Sequence, residues 1–115
     1  MDYNAWNAWK NEVTLANGVK IWHKHVPTET SLVCAIVDAG SRHDGAVPGL
    51  AHFTEHMLFQ GTKSLPDEQI KFVAAEHGIA INAATSKEFL FVETSSIKKK
   101  KIDIALDLCK EAIIN

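Results

Sequence analysis

The hydrophobic and polar positions of the chain predict two hairpins with a single strand between them. Five segments have the apolar, β-branched composition of strands: residues 13–15, 19–22, 31–39, 79–85 and 88–95. The first two flank Asn17-Gly18, a dipeptide typical of two-residue hairpin turns. The last two are separated by Ser86-Lys87, which we expect to form the second turn.

Three further segments have features of helices: residues 48–59, residues 66–77 and the segment from about residue 99 onward. Gly61 and Gly78 are natural residues at the ends of the first two helices. Ser64 stands three residues before Asp67, which predicts an approximate capping box at the start of the second helix. Apolar residues recur at helical spacing in the third: Ile102, Ala105, Leu106, Cys109 and Ile113. Strands and helices in blocks favour an α+β fold over a doubly wound sheet.

Composition limits the classes of partner. The chain has 115 residues, a net charge of −2, and 46% hydrophobic and 23% charged residues, as in ordinary soluble domains. We therefore expect one domain over residues 1–115, without a nucleic-acid partner and without a membrane span. The apolar helical pattern still continues at residues 112–115, which indicates that the domain is incomplete at its C-terminal end.

The sequence also suggests a compartment. Residues 1–10 lack the apolar region of a signal peptide, so we expect no secretory leader. The two cysteines, Cys34 and Cys109, are predicted to be buried free thiols. Both features favour a reducing compartment, most simply the cytoplasm.

Side chains that can bind metal gather on one face of the first predicted helix. At about 100° per residue, His52, Glu55 and His56 share a face, opposite Leu50 and Phe53. Histidines at i and i+4 can bind one metal ion together. The string H-x-x-E-H is the inverted form of the zincin motif. On five residues alone, a solvated helix face remains an equal alternative.

The motif has a specific chemistry if the metal is zinc. Catalytic zinc sites have three protein ligands and an open position for water, which becomes acidic enough to attack a carbonyl. A neighbouring carboxylate can accept the proton of that water and pass it to the leaving amine. This interpretation makes His52 and His56 ligands of Zn²⁺ and Glu55 the general base.

Residues 49–62, Gly-Leu-Ala-His-Phe-Thr-Glu-His-Met-Leu-Phe-Gln-Gly-Thr, closely resemble the signature of the M16 family of pitrilysin, insulysin and mitochondrial processing peptidase. Segments 39–43, 82–85 and 104–108 are also similar, so the resemblance extends from about residue 13 to residue 115. It implies a module of the LuxS/MPP-like metallohydrolase type, an antiparallel sheet with helices packed on one face. It also implies a zinc-dependent endopeptidase that cuts peptides or small proteins.

The resemblance assigns a role to the segment that begins at Asn82. It implies that Asn82 and Ala83 bind substrate, on a strand that accepts an extended peptide at the sheet edge. The alternative for Asn82 is that its side chain only satisfies a strand end. Phe89-Leu90-Phe91 departs from the Thr-x-Tyr that the family often has there.

The family's third zinc ligand is a glutamate on a later helix, beyond residue 115. None of the carboxylates within the chain matches it: Glu68, Glu76, Glu88, Glu93 and Glu111. The chain is therefore expected to be a fragment of a longer peptidase, or to receive the glutamate from a second chain. The alternative function is that of a non-catalytic structural or assembly subunit of an M16-like complex.

Overall fold

The computed structural model of the chain describes residues 11–96 and 99–114. The elements in these residues are β1 (Asn11–Thr14), β2 (Lys20–His23), β3 (Ser31–Val37), α1 (Leu50–Met57), α2 (Gln69–Glu76), β4 (Ile79–Thr85), β5 (Leu90–Ser96) and α3 (Ile102–Ile114). Short 3₁₀ turns lie at Ser41–His43 and Lys99–Lys101. The predicted order and type of these eight elements, and the α+β class, are confirmed.

The main sheet has three antiparallel strands in the order β3-β5-β4, so β4 lies at an edge. Strand alternation gives it two different faces. All three helices pack on one face, and the core between helices and sheet consists of Ile70, Ala74, Ile79, Leu90, Val92, Ala105, Leu108, Cys109 and Ala112. On the other face Leu32, Cys34 and Ile36 of β3 are exposed. The expected packing of the helices on one face is confirmed.

The first hairpin forms a separate two-stranded sheet. Val13 pairs with Ile21 in the antiparallel register, and the Leu15 N–H donates to the Val19 carbonyl at 2.8 Å. The side-chain oxygen of Asn17 accepts from the Val19 N–H, and Gly18 adopts a φ of 87°. The predicted turn at Asn17-Gly18 is confirmed, and the strands on both sides are exposed.

The start of α2 differs from the prediction. Asp67 and Glu68 adopt left-handed φ angles of 52° and 62°, so the helix begins at Gln69 instead of residue 66. A left-handed backbone cannot continue a right-handed helix, and the capping box of Ser64 and Asp67 was wrong for this reason. Thr62 organises this loop instead, since its hydroxyl accepts from the Leu65 N–H and donates to Glu111.

Two other details of the sequence interpretation were wrong. The β4–β5 turn comprises residues 86–89, because the Ser86 hydroxyl accepts from the Phe89 N–H and removes that residue from the strand. Cys34 is exposed, since it lies on the open face of β3, while Cys109 is buried as expected. The helix predicted from the apolar spacing near the end of the chain is confirmed as α3, in which Leu108 is buried and Leu106 is 49% exposed. No helix in the described part of the chain is long and apolar enough to cross a membrane.

Candidate metal and catalytic site

Helix α1 carries the candidate site, and its first turn is held by a carboxylate from outside the helix. Asp44 accepts hydrogen bonds from Gly49 N–H at 2.7 Å and from Ala51 N–H at 2.9 Å. A carboxylate there satisfies donors that a helix leaves unpaired and lies at the positive end of its dipole. Gly49 has a φ of 86°, so the helix starts at Leu50, two residues later than predicted, and ends at Met57.

The loop that presents Asp44 is attached to the turn between β4 and β5. The N–H groups of Gly40, Ser41 and Arg42 each donate at 2.9 Å to a carbonyl of residues 86–88. A Cβ at Gly40 would lie 2.5 Å from backbone atoms of that turn, so only glycine permits this approach. The loop before α1 and the β4–β5 turn therefore form one continuous support for the helix.

His52 and His56 point toward a common position. Their Nε2 atoms are 3.0 Å apart, and the ring centroids are separated by 4.6 Å. A tetrahedral zinc ion with two Zn–N bonds of about 2.0–2.1 Å would place the nitrogens about 3.3 Å apart. The two imidazoles are therefore nearly at the spacing for shared ligation. Imidazole nitrogens are common ligands of zinc, so the donor set fits Zn²⁺.

Glu55 lies beside this pair of rings. Potential ligand atoms of His52, Glu55 and His56 all lie within 4.8 Å of one another. Within residues 11–96 and 99–114, no other set of three or more His, Cys, Asp or Glu side chains is grouped in this way. The two histidines are exposed and Glu55 is half-buried, so the group opens to solvent on the side of the rings.

Thr85, the last residue of β4, touches Glu55. Its hydroxyl donates to Glu55 Oε2 at 2.7 Å, across thirty residues of sequence. The sequence interpretation gave Thr85 no role of its own. Strand alternation could have indicated it, because Thr85 shares the helix-facing side of β4 with Ile81 and Ala83.

Asn82 and Ala83 lie next to the group on the edge strand β4. Together with Glu55, His56, Phe59, Gln60, Lys71 and Ile81 they line an open depression of about 180 Å³. Ala83 is half-buried toward the helices, whereas Asn82 is exposed at the alternate position of the strand. The structure thus brings all five residues singled out from the sequence to one region.

The other carboxylates considered from the sequence lie elsewhere. Glu68 pairs with Lys71 at 2.7 Å, Glu88 pairs with Arg42 at 2.7 Å, and Glu111 accepts from the Thr62 hydroxyl. Glu93 lies on β5 opposite Asn82 and Cys34. Among the described residues, none of these carboxylates joins the two histidines as a further ligand.

A larger apolar depression lies on the other side of α1. It has a volume of about 260 Å³ and lies between the end of β3, the α1 start and the end of α3. Its lining on this side consists of Leu50, Ala51 and Thr54 of α1 and of Leu58, which follows the helix. None of the three metal-binding candidates reaches it, so it is separate from the group formed by His52, Glu55 and His56.

Comparison with known proteins gives a consistent result. A family model described as insulinase (peptidase family M16) matches residues 20–115. The chain is 32% identical over 106 residues to the mitochondrial-processing peptidase subunit beta of Saccharomyces cerevisiae, an alignment that covers 88% of this chain and 23% of that protein. An uncharacterised zinc protease of Mycobacterium leprae is 32% identical over 104 residues, 89% of this chain and 23% of the relative.

A solved structure agrees with these sequence matches. The crystal structure of a protease from Helicobacter pylori superimposes with a TM-score of 0.81 and 27% identity, covering 90% of this chain and 25% of that one. The chain thus spans about a quarter of the length of these relatives. With the family match extending over residues 20–115, the chain belongs to peptidase family M16, the insulinase family.

Proposed function

We propose that this chain provides the metal-binding helix and the general base of a zinc-dependent endopeptidase. The observation that carries the proposal is the 3.0 Å separation of the His52 and His56 Nε2 atoms, with the Glu55 carboxylate beside them. If these residues formed only a solvated helix face, nothing would require the two imidazole nitrogens to lie close together beside a half-buried carboxylate. Two histidines leave ligand positions for a third protein ligand and for water.

In this proposal His52 and His56 hold the ion through Nε2. Zinc, when bound, makes a coordinated water acidic and polarises the substrate carbonyl. Glu55 accepts a proton from the attacking water as the new C–O bond forms. Glu55 then donates that proton to the amine nitrogen as the C–N bond breaks. The carboxylate ends the cycle ionised, ready for the next water.

The edge position of β4 supports a role in substrate binding. An extended peptide can pair with an exposed strand through main-chain hydrogen bonds. Asn82 and Ala83 would then hold the peptide beside Glu55, in the depression that these residues share. The preferred substrates in this proposal are extended segments of peptides or small proteins.

The third ligand is proposed to be a glutamate from outside residues 1–115. Either a later part of a longer polypeptide or a second chain can provide it. Two imidazoles alone bind zinc weakly, because affinity depends on ligand number and geometry. Zinc titration of residues 1–115 is therefore expected to show weak binding, and the complete assembly is expected to bind one ion tightly.

The test combines metal content with hydrolysis. In the complete assembly, His52→Ala should remove the stoichiometric zinc, and Glu55→Gln should retain zinc while it abolishes peptide cleavage. Full cleavage by Glu55→Gln would refute the assigned mechanism. A complete assembly without zinc would instead favour a non-catalytic subunit.

A further inference from the structure

We propose that Thr85 is a positioning residue that orients the Glu55 carboxylate for proton transfer. This inference depends on the proposed function, because it assumes that Glu55 is the general base. Its evidence is the 2.7 Å hydrogen bond from the Thr85 hydroxyl to Glu55 Oε2. Both residues are half-buried, so water competes only partly for this bond.

The hydrogen bond engages one of the two carboxylate oxygens. A glutamate side chain on a helix surface has several rotatable bonds and loses considerable entropy when it is fixed in one geometry. A hydroxyl donor restricts that freedom while leaving the lone pairs of Oε1 for a water proton. Thr85 can keep its bond to Oε2 when the carboxylate is ionised and when Oε1 carries the proton.

The backbone of Thr85 is itself held firmly. Thr85 pairs with Leu90 across the β4–β5 hairpin, and the next residue, Ser86, donates its N–H to the Phe89 carbonyl at 2.8 Å. The Ser86 carbonyl also accepts from the Ser41 N–H at 2.9 Å. Because these hydrogen bonds fix the backbone at Thr85, its hydroxyl starts from a fixed position, which a hydroxyl on an unpaired loop would not.

The same turn determines the position of α1. Ser41 lies in the loop that leads to Asp44, and the Asp44 carboxylate holds the first N–H groups of α1. The position of the Glu55 backbone and the position of the hydroxyl that orients its side chain therefore both depend on residues 86–88. We infer that the β4–β5 turn sets the geometry of the base relative to the histidine pair.

Two substitutions separate a positioning role from a structural one. Thr85→Val preserves the β-branched shape and removes the hydroxyl, whereas Thr85→Ser preserves the hydroxyl and removes a methyl group. In the complete enzyme, Thr85→Val should lower kcat about tenfold to a hundredfold, the range for residues that orient a catalytic group. KM and zinc content should remain near wild type, and Thr85→Ser should recover kcat to within about threefold.

A second readout does not use activity. In the metal-free protein, a double-mutant cycle of Thr85→Val and Glu55→Ala should show a coupling of about threefold to tenfold in the unfolding equilibrium constant. Independent effects of the two substitutions would overturn the proposed contact. A kcat of Thr85→Val equal to wild type, or an equal loss in Thr85→Ser, would also overturn it.

The outcomes distinguish this inference from the proposed function. An active wild type whose kcat is insensitive to Thr85→Val refutes the positioning role alone. A complete wild-type enzyme with neither zinc nor hydrolysis refutes both. Cleavage that survives Glu55→Gln also refutes both, because the base would then lie elsewhere.

Discussion

Replacement of Asp44 by alanine should loosen α1 without disturbing the rest of the sheet. The substitution removes the two hydrogen bonds to the Gly49 and Ala51 N–H groups, at 2.7 and 2.9 Å. Loss of a capping side chain costs about 1 kcal/mol, within a range of about 0.5–2 kcal/mol. Loss of the negative charge at the helix start adds about 0.3–1 kcal/mol. The expected total is about 1–3 kcal/mol for local opening of α1.

The size of the effect follows from the shortness of the helix. Helix α1 has eight residues, and isolated helices below roughly 12–15 residues are marginal in water. Ala51 is the one buried residue of α1 and is still 9% exposed, so packing compensates little for a lost cap. Asp44→Asn keeps one acceptor oxygen and should lose about half as much as Asp44→Ala.

Amide hydrogen exchange measures this local opening directly. Protection of the α1 amides should fall by about fivefold to 150-fold in Asp44→Ala, as a free-energy change of about 1–3 kcal/mol requires. Amides of β5 should keep their wild-type rates. Asp38→Ala is the matched control, since Asp38 is an exposed aspartate outside α1. Unchanged α1 protection in Asp44→Ala, or equal losses in the control, would refute the reasoning.

Three further predictions concern packing and ionisation. Gly40→Ala should destabilise the protein by about 1–3 kcal/mol in urea unfolding, because its Cβ would lie 2.5 Å from turn backbone. Ile70→Ala, at a fully buried position, should cost about 2–5 kcal/mol, while Ile36→Ala, 56% exposed, should cost much less. Burial raises the pKa of the Cys109 thiol above its usual range, and partial burial together with the Glu93 charge raises the pKa of the Cys34 thiol. The contribution of the protonated thiols to the free energy of unfolding should therefore be complete below their pKa in the unfolded chain. It should decrease as the pH rises through their higher pKa in the folded protein, and Cys109→Ala should flatten this alkaline decrease.

The features that sequence predicted well are the ones that short stretches of chain determine. Asn17-Gly18 specifies its own turn, because both residues tolerate a left-handed backbone. The spacing of His52 and His56 places the two rings on one helix face wherever that helix lies. Each of these predictions needed only neighbouring residues, and each agrees with the described geometry.

Two of the predictions that were wrong, the start of α1 and the start of α2, depend on contacts with residues outside the immediate neighbourhood of each helix start. Nothing near Asp67 requires a left-handed φ, and the observed loop is instead organised by Thr62 and its bond to Glu111, 49 residues away. The cap of α1 comes from Asp44, seven residues before the Ala51 N–H, where a search for an adjacent capping residue does not reach. Hydrophobic periodicity does not show how far before a helix its capping carboxylate lies in the sequence.

The site itself combines both kinds of information. A helix with H-x-x-E-H spacing specifies which side chains face one another, but their distances depend on how the helix is held. That support comes from Asp44 and from the loop around Gly40. The backbone of this loop is bound to the β4–β5 turn by three hydrogen bonds of 2.9 Å. Thr85 extends the same frame to the Glu55 carboxylate. Because the turn carries both the strand edge beside the depression and the hydroxyl on Glu55, a shift of the turn would move the proposed substrate strand and the proposed base together.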